Sequence, residues 1–180
     1  MPAFRKEEVS FAFDVCGCPN RCRHCWLGKA TGRAMDLQKV VMLFTQFRSY
    51  VAENPGVHGL RRVKYFSTYF REPHRSADYR RLRELELELN GGIDYASDYQ
   101  LLSVWRLAHD DGYAEWAESI NTKKCQIALF GLEETNEWFC RRKGAHRDII
   151  AATARLIEVG IQPRWMVFLT KRGLPEYRGI

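Results

Sequence analysis

Cys16, Cys18, Cys22 and Cys25 fall within ten residues of the stretch "DVCGCPNRCRHCWLG". Thiols this close together are ligands for a metal centre or partners in disulfides, and in a reducing compartment the first use is the commoner one. Structural zinc takes two ligand pairs set roughly a dozen or more residues apart. No second Cys or His pair at such spacing is present, and His24, adjacent to Cys25, would have to bend sharply inward to serve as a fourth ligand. Three thiolates in a Cys-x-x-x-Cys-x-x-Cys group, here Cys18, Cys22 and Cys25, can hold three irons of an iron–sulfur cube. The remaining iron then has no protein ligand and can coordinate a small molecule, which points to an enzyme rather than an electron carrier. Two registers compete at this point, because either Cys16 or Cys18 can join Cys22 and Cys25. Cys125 and Cys140 are isolated in the sequence and read as ordinary packing residues.

The elements that must position these thiols follow from the apolar pattern. "VSFAFDV" (residues 9–15) reads as a strand that ends at the cysteines, and a glycine-containing loop, "WLGKATGRAM", follows them. Asp36 caps an expected helix whose Val40, Leu43, Phe44, Phe47 and Val51 share one face, and "NPG" stops it. A second strand is expected in "RRVKYFSTYF". A helix opened by Ser76 then carries the stripe Tyr79, Leu82, Leu85 and Leu89, and Gly91-Gly92 closes it. A third strand is expected within "YQLLSVW", with Ser103, Trp105 and Arg106 facing a cavity. A helix around "GYAEWAESI", a strand at 125–130, a helix in "RDIIAATARLIEV" and a strand in "PRWMVFL" complete the pattern. Strand and helix alternate five times with no Asn-Gly hairpin, so the fold class is α/β with parallel strands, a partial (β/α) barrel in a single domain over residues 1–180. In such barrels the chemistry sits at the C-terminal ends of the strands, where the cysteine loop falls.

Composition bounds the function. Of 180 residues, 46% are hydrophobic and no run reaches the roughly 18 apolar residues of a membrane helix, so a soluble cytoplasmic protein without membrane partners is expected. The N-terminus is charged and carries no secretory pattern. The net charge of +6 gathers in "RRVK", "YRRLR" and "CRRKGAHR", but no nucleic-acid motif accompanies it, which argues against nucleic acid as a partner.

The cysteine motif after a first strand resembles the signature of the radical S-adenosylmethionine (radical SAM) superfamily, and the resemblance spans about residues 9–172. It implies a 4Fe–4S cluster on Cys18, Cys22 and Cys25, the three-then-two spacing that only Cys18 provides. It also implies S-adenosylmethionine on the open iron and its reductive cleavage to methionine and a 5′-deoxyadenosyl radical that takes hydrogen from substrate. Where the family often has Gly-Gly-Glu-Pro after the second strand, this chain has Phe70-Arg71-Glu72-Pro73, and Glu72 matches the acidic residue that meets the methionine amino group. Arg142 or Lys143 in the "RRKGA" turn is implied for the carboxylate of S-adenosylmethionine. His24 stands where the family usually places an aromatic residue, beside the adenine. Ala128 replaces the serine that family members often direct to the ribose. Trp26 reads either as a shield for the cluster or as a core residue.

The resemblance further implies a flavodoxin- or ferredoxin-type reductant and a peptide or small-metabolite substrate. The family core has six strand–helix units and this sequence offers five strands, so a C-terminally shortened form is expected. Two other readings of the thiols stay open: an iron–sulfur electron-transfer or binding module without S-adenosylmethionine cleavage, and a zinc-stabilised protein that binds nucleic acid.

Overall fold

The computed structural model describes residues 7–28, 34–68, 71–94 and 99–179. The end of the expected second strand (69–70) and part of the loop after the cysteines (29–33) lie outside the described residues. The chain forms two compact units, one drawn from Met1–Gly17 and Gly32–Tyr95, the other from Cys18–Thr31 and Ala96–Ile180.

In the first unit, β1 (Glu8–Ala12) and β2 (Arg62–Ser67) pair in parallel, with a register irregularity between Val9 and Ser10. Helix α1 (Leu37–Glu53) joins them, and the Asp36 carboxylate accepts the Lys39 N–H at 2.7 Å as its N-cap. Val40, Phe44 and Val51 are buried as the spacing requires, whereas Phe47 is more exposed and stacks on Phe11 with ring centroids 4.4 Å apart. Helix α2 (Tyr79–Leu89) starts three residues later than Ser76, because the Ser76 hydroxyl accepts the Asp78 N–H and closes a local turn instead of a helix cap. Its Tyr79, Leu82 and Leu85 are buried. Val15, Val40, Phe44, Phe66, Leu82 and Leu85 make the core of this unit. Phe66 is fully buried, with the rings of Phe13 and Phe44 each 5.1 Å away.

The second unit carries a parallel sheet of β3 (Tyr99–Gln100), β4 (Lys124–Leu129) and β5 (Gln162–Val167), in that order. Its helices are α3 (Val104–His109), α4 (Tyr113–Ser119), α5 (Glu133–Cys140) and α6 (Ala145–Glu158), and a 3₁₀ segment spans Leu174–Gly179. Leu107, Tyr113, Ile127, Leu129, Leu156 and Ile161 fill its interior.

Two expectations are corrected here. Ser103, Trp105 and Arg106 do not lie on the third strand: β3 has two residues, the Ser103 hydroxyl accepts the Arg106 N–H at 3.1 Å, and this cap starts α3, which holds Trp105 and Arg106. Helix α5 lies between the expected strand at 125–130 and the "RRKGA" turn, in a stretch for which no element is expected from the sequence. The parallel α/β order is as expected; among the described residues the strands form two sheets rather than one continuous barrel wall.

Candidate functional site

Cys18, Cys22 and Cys25 lie in one loop of the second unit, and all three are half-buried. The loop is fixed on the last turn of α5, where the carbonyls have no partners within the helix. The Arg21 N–H donates to the Cys140 carbonyl at 3.0 Å and the Arg23 N–H to the Phe139 carbonyl at 2.8 Å. The Arg23 side chain donates from Nε to the Trp138 carbonyl at 2.9 Å. Its guanidinium also lies 4.1 Å from the Trp138 ring centre, and that of Arg172 lies 4.9 Å from it. Within the loop, the Cys25 N–H donates to the Cys22 carbonyl at 3.1 Å, closing a tight turn between those two cysteines.

A second clasp comes from Arg142. Its Nε donates to Asn20 Oδ1 at 2.6 Å, and its Nη1 stands 2.6 Å from Asp148 Oδ2 on α6. Asp148 Oδ1 lies 3.0 Å from His109 Nε2. Arg142 thus joins the cysteine loop to α6, and two of its three nitrogens are committed to that task. Lys143 is exposed and takes no part in the clasp.

We expect Arg142→Gln to weaken the anchoring of the loop by about 1–3 kcal/mol, since it removes a charge-assisted bond and leaves the nearly buried Asp148 without its guanidinium. Amide hydrogen exchange at residues 21–25 should speed up accordingly. Unchanged exchange there would mean that the main-chain bonds to α5 hold the loop alone.

His24 stays exposed while its ring stands 4.5 Å from Phe130 and 6.1 Å from Phe168, at the ends of β4 and β5. Burial against these rings holds its imidazole below the usual pKa. Trp26 is 82% exposed, which corrects its reading as a core residue.

Cys140 is a packing residue, as its isolation in the sequence suggests. It is buried beside Phe130 and Ala145, and Cys22 packs against that cluster. The Cys22 thiol first, then burial, pushes the pKa of Cys140 up. No spacing rule links residues 22 and 140; the signal available in the sequence was α5 itself, with Glu133 and Glu134 in its first turn and basic residues 141–143 after its end.

The turn that leads into α5 needs its glycine. Gly131 has φ +143°, and a Cβ there would meet Glu176 Oε2 at 2.5 Å and Thr135 at 2.8 Å. Glu176 accepts the Leu132 N–H at 2.7 Å and the Thr135 hydroxyl at 2.6 Å, and so sets the helix that receives the cysteine loop.

Glu72 and Cys16 belong to the first unit. Glu72 is half-buried and lines a cavity of about 10 Å³, room for about one water, together with Asp14, Cys16, Thr68, His74 and Arg75. The wall is rigidly built. Arg71 Nε stands 2.7 Å from Asp14 Oδ2, and the Gly17 N–H donates to Asp14 Oδ1 at 3.2 Å. Thr68 gives both its N–H (2.8 Å) and its hydroxyl (3.1 Å) to the buried Glu86 carboxylate, whose pKa burial raises. Gly17, at φ +67°, turns the chain sharply between Cys16 and Cys18. Cys16 therefore shares a cavity with Glu72, and the other three cysteines share the loop on α5.

The donor set suits an iron–sulfur cluster: three thiols in one anchored loop, none fully buried, so an inorganic group can reach them. Among the described residues, no group of three or more His, Cys, Asp or Glu side chains is already gathered as a shell for a metal ion. None of the helices there is long and apolar enough to cross a membrane.

No protein-family model matches the sequence, and no curated protein does. Among solved structures, the chain is similar to native anSMEcpe with bound AdoMet and Cp18Cys peptide, a radical SAM structure, with a TM-score of 0.59 and 14% identity. The match covers 95% of this chain and 47% of that one, so the chain spans about half the length of its structural neighbour. The fold is therefore radical SAM-like, α/β with short parallel strands.

Proposed function

We propose that this chain is the cofactor-binding core of a radical SAM enzyme, in which thiolates of Cys18, Cys22 and Cys25 hold a 4Fe–4S cluster. The observation that carries the reading is the joint placement of these three thiols in one loop fixed on α5, within a fold similar to a radical SAM structure. Such a cluster, when bound and reduced, supplies the electron that splits the sulfonium of S-adenosylmethionine.

The chain's own residues do the positioning. Glu72 offers a carboxylate to the methionine amino group. Lys143 is available to the methionine carboxylate, and Arg142 acts there only through Nη2, its other two nitrogens being engaged. His24 and the phenylalanines around it offer an aromatic surface for the adenine. The substrate class is a peptide or small metabolite; the bound peptide of the neighbouring structure favours the peptide. A flavodoxin- or ferredoxin-type protein is the proposed electron donor.

Protein reconstituted without oxygen is expected to contain about four irons and about four inorganic sulfides per chain. Elemental analysis with a sulfide assay checks this. Stoichiometric zinc without sulfide would overturn the reading in favour of a structural zinc site.

A further inference from the structure

We propose that Cys22 and Cys140 form a reversible disulfide when the chain lacks its cluster, a modification site that takes one proposed ligand out of use. The proposal extends the cluster reading, since it is the role of Cys22 there that gives the bond a consequence.

The geometry rests on two independent features. Arg21 and Arg23, on either side of Cys22, donate their N–H groups to the carbonyls of Cys140 and Phe139 at 3.0 and 2.8 Å. Such bonds bring two backbones as close as neighbouring strands, about 5 Å, which is within the Cα separation a disulfide spans. The side chains also meet: Cys22 packs on the cluster of Phe130, Cys140 and Ala145. Neither cysteine is in a disulfide in this structure.

The reaction is thiol–disulfide exchange with a small disulfide such as oxidised glutathione. Cys22 is the more accessible thiol, so its thiolate attacks one sulfur of the oxidant and expels a glutathione thiolate. Cys140 then loses its proton to solvent, attacks the Cys22 sulfur and expels the second glutathione. Two protein thiols are oxidised by two electrons, and one glutathione disulfide is reduced to two thiols. Cys22 is thereby held at the reversible step of its oxidation, short of the irreversible sulfinic and sulfonic acids. The competing partner is Cys25, tied to Cys22 by the 3.1 Å main-chain bond.

The test uses the full chain, stripped of iron, treated with oxidised glutathione, alkylated and digested without reductant for mass spectrometry. The expected result is a Cys22–Cys140 peptide as the dominant cross-link, with loss of both free thiols and their return after dithiothreitol. In Cys140→Ser the link disappears, and Cys22 is found glutathionylated or alkylated. A dominant Cys22–Cys25 or Cys18–Cys22 link, or four unchanged thiols in the loop and at residue 140, would overturn the proposal, and neither result depends on how a variant folds. Iron uptake by the reduced wild-type chain is measured in parallel. Normal uptake without the link overturns this inference alone, whereas the link without any uptake overturns the cluster reading and leaves the disulfide standing.

Discussion

Cys18→Ala, Cys22→Ala and Cys25→Ala are each expected to lose the intact cluster, and with it all reductive cleavage of S-adenosylmethionine. Two thiolates cannot fix a cube that keeps one iron open. Cys16→Ala is expected to keep its iron. Cys16 lies before the turn at Gly17, in the unit that carries Glu72, and it lines the cavity beside that residue. Iron and sulfide content across the four single variants is the measurement. Iron lost in Cys16→Ala and kept in Cys18→Ala would show the motif to be in the other register. Iron lost in all four would indicate four protein ligands and a closed, electron-carrying centre.

Glu72→Gln is expected to weaken S-adenosylmethionine binding while leaving iron content intact. The substitution keeps the shape of the side chain and removes the charge. A charge-assisted hydrogen bond at a shielded site is worth on the order of 1.5–3 kcal/mol, so affinity should fall roughly ten- to a hundredfold. Glu72 is half-buried in a wall held by the Arg71–Asp14 pair and the Thr68–Glu86 bonds, so relaxation cannot easily compensate. Equilibrium binding to reconstituted protein measures this, and unchanged affinity would make Glu72 a structural residue of that cavity.

Much of the first unit was legible because its signals are local. Asp36 before an apolar stripe is a helix start, and the run 62–67 is rich in β-branched and aromatic residues. The cysteine spacing was legible for the same reason, since all its information lies within ten residues. What holds those cysteines was not. Helix α5 is eight residues long, follows a glycine turn, and buries Thr135 and Asn136 rather than a clear apolar stripe. Its contribution is mainly through carbonyls at its end, which no side-chain pattern announces. Arg142 looked like a cation for a ligand because a guanidinium suits a carboxylate; the carboxylate it meets is Asp148, six residues on, with Asn20 from the loop. The packing of Cys22 against the cluster around Cys140 joins the two chain segments of the unit and has no trace in spacing. Ser103 was read as part of a strand since apolar residues surround it, yet its hydroxyl ends the strand by capping α3.

The most direct test of the central claim is the fate of S-adenosylmethionine on the anaerobically reconstituted, dithionite-reduced chain, followed by chromatography. The account predicts that methionine and 5′-deoxyadenosine appear in equal amounts, and that neither forms with Cys18→Ala, Cys22→Ala or Cys25→Ala. Intact S-adenosylmethionine over a chain that has bound its full complement of iron and sulfide would contradict it.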